Sequence, residues 1–398
     1  MESSVVVFPP CAWTELSPVI RKFLLSLRSK HRLYFITSAP LPSEAGTSMT
    51  ALSIHELREL QLPKELLLTI VMHPAWILEA LPLGAAKLTV LLTDDYGSDS
   101  LWRKYRDWLC ARGDLVIAPT EPFYFEQCFR RSAVALMDGT DPVSDRLAVQ
   151  ALDWVLEGFD PSPLLRLQQH IRAERCRGIA ASDPTEATSS YYYSIYRYLT
   201  GDLQEAQTAI VEAYVREIMQ GNEHALKSHY LFLSAIQLKL GQTEQAIRTY
   251  EIAAQSEGEH AVVHQLFNWL DSGQEELARA VLFRLNDDYN EALPLLLQLA
   301  DHSLDAKRIL QDTYLQTGRL EQALLLTSGE PRPSPASKQE QALLEGTVLL
   351  LQGERHASIH KLLEAAVYRQ DCLANLAEII TIEAAAIRLA EGETEHAR

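Results

Sequence analysis

A chain of 398 residues is long enough for two or three domains, each burying its own core. Its formal net charge of −17 divides into about −5 before residue 161 and about −12 after it. That leaves no basic stripe to displace counterions from phosphates, so nucleic acid is excluded as the natural partner and basic or mixed-charge protein surfaces suit it better. No stretch has the ~18 consecutive apolar residues of a membrane span, and Met1-Glu2-Ser3-Ser4 lacks the basic start of a signal peptide. The five cysteines, Cys11, Cys110, Cys128, Cys176 and Cys372, are scattered and form no CxxC pair, which fits thiols in a reducing compartment. The expectation is a cytoplasmic protein without a membrane span.

From the N-terminus, short apolar runs alternate with amphipathic segments. The runs are Val5–Phe8, Leu33–Thr37, Leu67–Met72, Leu88–Thr93, Leu115–Ala118 and Ala133–Met137. Each is a solid block and not an apolar–polar alternation, as in strands buried on both faces. Helical patterns at Leu16–Leu27, Ile54–Leu60, Trp76–Leu81, Ser100–Arg112, Pro122–Arg131 and Ser144–Leu156 separate or follow them. Six strands alternating with helices predict a parallel, doubly wound Rossmann-like sheet over residues 1–157. Ligands of such sheets sit beyond the C-terminal strand ends. Here those ends carry Pro9-Pro10-Cys11-Ala12-Trp13, Ser38-Ala39-Pro40, His73-Pro74-Ala75-Trp76, Asp94-Asp95-Tyr96, Pro119-Thr120-Glu121 and Asp138-Gly139-Thr140-Asp141. Neither Gly-x-Gly-x-x-Gly nor a P-loop is present, so neither a dinucleotide nor a nucleoside triphosphate is indicated, and no cofactor is expected.

The succession "VVVFPPCAW", "HRLYFIT", "LLLTIVMHPAW", "KLTVLLTDDY", "LWRKYRDWLCARGDLVIAPTE" and "FRRSAVALMDGTDP" resembles the N-terminal half of GT-B glycosyltransferases. Within that fold it is most similar to the group-4 type that builds bacterial surface polysaccharides. The aspartates after the fourth run, the "APTE" turn and the closing "MDGTDP" carry the resemblance. It covers about two fifths of the chain and implies a sugar or nucleotide-sugar ligand. In that family the donor is bound mainly by a second Rossmann domain with a basic residue and a glutamate-rich motif, whereas nothing after Met137 reads as a second set of strands. Pro9-Pro10-Cys11 stands where the family has a glycine-containing loop. A complete transfer site within this one chain is therefore not expected.

The candidate ligand-binding residues are Trp13, His73, Trp76, Asp94, Asp95 and Glu121. His73 is placed to act as a base or sugar contact, or to cap the turn before Pro74. Asp94 and Asp95 can meet a metal ion or a sugar hydroxyl, or cap the next helix, and no partner at ligand spacing accompanies them. Trp13 and Trp76 can stack on a ring or wall the sheet. No metal site is expected: His356 and His360 have ligand spacing on a helix, but no third ligand accompanies them.

After a break at Gly158–Pro163 comes a basic helix, Leu164–Arg177, and an Ala/Ser/Thr-rich stretch, Gly178–Ser190, so residues 158–190 read as a linker. The tyrosine cluster Tyr191-Tyr192-Tyr193, with Tyr196 and Tyr198, then opens a series of helices punctuated by Gly201, Gly241, Gly273, Gly318, Gly353 and Gly392. An alanine follows five residues after each glycine except Gly353, where Ser358 takes the slot. A small residue seven before the glycine (Ser194, Ser234, Gly346, Ala385) completes the pattern, while Leu266 and Gln311 break it. A helix–glycine–helix beat every 32 to 45 residues is similar to the tetratricopeptide repeat and predicts an all-α solenoid over residues 191–398. A second break, Gly329–Pro335, interrupts it.

The expected protein is thus a Rossmann-like parallel-sheet domain followed by a tetratricopeptide-like solenoid. The first expectation for function is a scaffold that binds a protein partner in the repeat groove, accessory to surface-glycan assembly or protein glycosylation. The alternative is an active glycosyltransferase whose donor site is completed by a partner or by the repeats.

Overall fold

The computed structural model describes all residues except 1–3, 43–48, 60–65, 95, 97–98, 119–131, 136–141, 184, 223–225, 255–256, 329–334, 367–370 and 392–398. Seven parallel strands form one sheet: β1 (Ser4–Phe8), β2 (Arg32–Ile36), β3 (Met49–Leu52), β4 (Leu66–Val71), β5 (Lys87–Leu91), β6 (Leu115–Ala118) and β7 (Ser132–Ala135). Their order is β3-β2-β1-β4-β5-β6-β7, so the direction of winding reverses between β1 and β4. The block-like apolar runs form strands because both faces are covered: every residue of β1 and β6 is buried. Six of the strands match the expected runs. The seventh, β3, is the short edge strand paired in register with Leu33–Ile36, and its centre is Thr50-Ala51. Helices α1 (Pro18–Arg28), α2 (Ile54–Glu59), α3 (Ile77–Ala80), α4 (Ser100–Arg112) and α5 (Pro142–Glu157) complete the α/β layer. The helix expected at Pro122–Arg131 lies outside the described residues.

The rest is helical: α6 (Ser162–Ser182), α7 (Ala187–Leu199), α8 (Leu203–Gln220), α9 (Leu226–Lys239), α10 (Thr243–Ala253), α11 (Glu257–Asp271), α12 (Glu275–Leu285), α13 (Tyr289–Ala300), α14 (Leu304–Gln316), α15 (Leu320–Ser328), α16 (Pro335–Leu351), α17 (Arg355–Ala366) and α18 (Asp371–Glu391). The expected basic helix runs on through Gly178 to Ser182, and Ala187–Ser190 already belongs to α7. Residues 183–186 alone connect the two helices, so most of the stretch read as linker is helix; Ala180 and Ala181 favour that outcome.

Gly201, Gly241, Gly273, Gly318 and Gly353 all have φ between 68° and 86°, the left-handed helix-ending conformation. Gly392 lies outside the described residues. Each of the five closes a hairpin: α7/α8, α9/α10, α11/α12, α14/α15 and α16/α17. The small residues flanking the turn meet inside it. Ser194 donates its hydroxyl to the Ala206 carbonyl (2.8 Å) and Ser234 to that of Ala246 (3.0 Å). In α16/α17 the roles exchange, with Ser358 donating back to the Gly346 carbonyl (2.7 Å). Among the described residues these three hairpins are the most closely packed helix pairs, whereas α11/α12, with Leu266 in the small-residue slot, is more open. The long interval between Gly273 and Gly318 contains an additional helix, α13. The turn before it is made by Asp287, which takes the left-handed conformation (φ 56°) without a glycine.

Chain contacts separate two compact units, residues 1–164 with 314–398, and residues 165–313. In the latter, side chains near the turns stitch successive hairpins: Gln207 to Gln242 (3.0 Å), Thr243 to Glu275 (2.8 Å) and Lys239 to Asp288 (3.1 Å). The tyrosine cluster packs here too, Tyr191 against His229 and Phe232, and Tyr198 against Phe232.

In the former, the last helices are packed on the α/β layer. The Trp108 indole donates to the Leu315 carbonyl (3.0 Å), and Arg112 donates to the Gly318 carbonyl (2.6 Å) while facing Glu321 (3.2 Å). The buried Glu79 of α3 is bound by Arg58 of α2 and by Arg355 of α17 (2.6 Å), and Arg355 also reaches Glu383 of α18 (3.0 Å). Burial pushes the Glu79 carboxyl up, but the Arg58 hydrogen bonds and the charges of Arg355 and Arg58 outweigh it and hold the group below the ordinary glutamate value.

Gly318 sets how near the start of α15 can come to α4, because a Cβ there would lie 2.8 Å from the Trp108 Cα. Gly84, in the same unit, is also left-handed (φ 60°) but has open space around it. Gly84→Ala is expected to cost about 1 kcal/mol from the backbone alone. Gly318→Ala, which adds overpacking against backbone, should cost about 3 kcal/mol or more. Urea titration of the two variants checks this; equal losses would rule out the close approach.

Candidate functional site

The reversal of winding places the ligand crevice of a parallel sheet between the C-terminal ends of β1 and β4. In this chain those ends are Phe8-Pro9 and Met72-His73, and a short 3-10 turn, Pro74–Trp76, follows at once. The turn starts where it does because His73 has extended backbone (φ −142°) and its Nδ1 accepts the Ala75 N–H (3.0 Å), with Pro74 pre-set for the first helical position. Trp76 is thereby directed back at β1. Its indole N–H donates to the Pro9 carbonyl (2.6 Å), its ring lies 5.4 Å from that of Phe8, and it is completely buried. The crevice is filled by the protein's own indole.

His73 is 3 % exposed and enclosed edge-on by Tyr96 (4.8 Å) and Trp102 (5.1 Å). Tyr96 takes a left-handed backbone (φ 51°), and its hydroxyl meets Thr93 Oγ1 (3.3 Å). Burial pushes the His73 pKa down to about 3, so the imidazole is neutral at physiological pH. With Nδ1 occupied as an acceptor and the ring walled by aromatics, it is a capping group, far from the pKa near 7 that suits a general base.

The other candidates are placed apart. Trp13, in a 3-10 turn after β1, is buried edge-on to Phe35 of β2 (5.5 Å). Asp94 is exposed beyond β5, and Asp95 and Glu121 lie outside the described residues. The structure thus brings together His73 and Trp76 and adds Tyr96 and Trp102, which were not among the candidates. Trp102 stands on the first turn of α4, which Asp99 caps through the Leu101 and Trp102 amides (2.8 and 3.2 Å). No sequence signal distinguished it from the neighbouring Trp108. Among the described residues no three His, Cys, Asp or Glu side chains are arranged to hold a metal ion, and His356 and His360 are exposed on α17. No helix among the described residues is long and apolar enough to cross a membrane.

The last helix of the same unit lies against this end of the sheet. α18 packs on the Pro74–Trp76 turn, and its Ala390 carbonyl accepts the Ser38 N–H at the exit of β2 (2.6 Å). Comparison with known proteins adds no relative: no protein-family model, curated protein or solved structure matches the chain.

The buried neutral His73 gives a pH signature. Below the ordinary histidine pKa of 6.5 the unfolded chain takes up a proton that the folded chain refuses until about pH 3. The contribution of His73 to stability is therefore fully present above pH 6.5 and is lost as pH drops through that window, by up to about 1.4 kcal/mol per pH unit. His73→Asn keeps an acceptor for the Ala75 N–H and removes the titration. Urea unfolding of both proteins between pH 7 and pH 4.5 should give a shallower loss for the variant; parallel slopes would show that His73 is protonated when folded.

Proposed function

We propose that this chain is a protein-interaction scaffold. In this reading a glycosyltransferase-like α/β domain does not catalyse transfer by itself, and tetratricopeptide-like hairpins hold a partner. The observation that carries it is the filled crevice: Trp76, fully buried and hydrogen-bonded to the Pro9 carbonyl, occupies the position between β1 and β4 where a parallel sheet receives a ligand. The neutral, enclosed His73 supports the same reading, since it supplies neither an open base nor a free sugar contact. The hairpins offer the partner surface. On α8, Val215, Ile218 and Met219 share one face and stay exposed, Met219 by 82 %, beside the tilted pair Tyr214 and Tyr230. The resemblance of residues 1–157 to GT-B enzymes makes surface-glycan assembly or protein glycosylation the setting, with the partner supplying any transfer chemistry.

The test is thermal unfolding of the full chain against a panel of uridine-, guanosine- and thymidine-diphosphate sugars. A ligand at about 100 times its Kd stabilises by about 2.7 kcal/mol. The expected result is no shift with any member. A dose-dependent rise with one nucleotide sugar would replace the scaffold by the transferase.

A further inference from the structure

Two helices, α4 and α18, pack on the Pro74–Trp76 turn, and the fastenings of α18 differ in kind from the core beneath it. α18 is tied at Glu378 to Lys104 on the first turns of α4 (2.7 Å), at Glu383 to Arg355 (3.0 Å), and at the Ala390 carbonyl to the Ser38 N–H (2.6 Å). Lys104 follows β5 and Ser38 follows β2, so these ties lie on opposite sides of the β1–β4 reversal. From Glu378 to Ala390 a helix rises about 18 Å. The three strand spacings from β2 to β5 amount to about 14 Å. α18 therefore runs from α4, across the Pro74–Trp76 turn, to the exit of β2.

Over residues 377–390 its buried face is Ile382, Ala385, Ala386, Leu389 and Ala390, at helical spacing. Three of these five are alanines, which let the helix backbone lie close but bury little apolar area each. The ion pairs that hold it are about one-third exposed on both partners, where pairing contributes little and salt screens it. By contrast β1 and β4 lie in the sheet interior, with every residue of β1 and all but Leu67 of β4 buried. A close-fitting helical segment with a shallow apolar face and screened ion pairs, as over residues 377–390, opens at lower free energy than the sheet it covers.

We propose that α18 is a strap: a reversible closure over the C-terminal edge of the sheet that lifts while the sheet stays folded, uncovering the Pro74–Trp76 turn and the exit of β2. This goes beyond the scaffold reading, because it describes a change of state at the ligand edge whether or not a sugar binds there.

The experiment is hydrogen exchange with mass spectrometry on the full chain, comparing wild type with Glu378→Gln/Glu383→Gln. Exchange at residues 382–390, at Ser38 and at 75–80 should rise together by about tenfold in the variant, while β1 and β4 amides stay unchanged. Wild type in 0.5 M sodium chloride should show the same selective rise, which keeps the test open if the variant folds poorly. Exchange of α18 in step with β1 and β4, or no change at α18 in either arm, would overturn the proposal. The nucleotide-sugar panel and the exchange experiment fail independently, since one reads ligand binding and the other helix opening.

Discussion

A parallel sheet that winds outwards from two adjacent strands leaves a gap between their crossover connections, and in a dense protein interior that gap has to be filled. Here the filler is Trp76. A tryptophan brings a large apolar surface but also an N–H that must find an acceptor when buried. The Pro9 carbonyl supplies that acceptor where β1 leaves the sheet. Proline suits the position, because it removes a donor of its own and keeps the chain extended at the rim. The indole can reach it only because His73 starts a 3-10 turn immediately after β4. The same turn leads into α3 and so places Glu79 at the surface that the C-terminal helices cover.

Glu79 costs desolvation, and burying a carboxylate between two arginines is seldom a net gain over an apolar contact. The pairing does specify geometry. Arg58 comes from the α/β layer and Arg355 from α17, so the carboxylate is satisfied on both sides only when those helices are in register. Gly318 and Gly353 work in the same direction. A Cβ on Gly353 would come within 2.9 Å of Pro82, as one on Gly318 would of Trp108, so two glycines of the beat both end helices and admit the α/β layer. Close approach and a matched charge arrangement together make this packing selective, with helix capping alone unable to do so.

The sequence disclosed what is local. Solid apolar blocks such as Val5–Phe8 and Leu115–Ala118 became strands because burial on both faces leaves no polar side, and the glycine beat became helix ends because left-handed backbone favours glycine. β3 escaped because Met49-Thr50-Ala51-Leu52 is too short to stand out as an edge strand. The turn before α13 escaped because Asp287 does a glycine's work. What could not be read was long-range. Glu79 lies 276 residues from Arg355, and Trp108 lies 207 from Leu315, so their partnership leaves no spacing to detect. At the crevice, composition was ambiguous in principle: histidine and tryptophan after strands are what a sugar site needs and equally what a plug needs. Burial and hydrogen-bond direction separate the two, and neither is visible in a string of residues.

The position of α18 makes the ligand edge a place where the chain binds itself. A helix tethered to its own docking surface is present at an effective concentration set by the chain, in the millimolar range for short connections, and needs little intrinsic affinity to stay in place. Any ligand for the same edge then binds only the fraction of molecules in which the helix is raised. Its apparent Kd increases by the reciprocal of that fraction. Trp76 adds a second requirement, because its indole must leave both the Pro9 carbonyl and the Phe8 ring before the crevice exists. Two coupled closures of this kind act in the same direction, since each one subtracts from the affinity of any ligand for this edge.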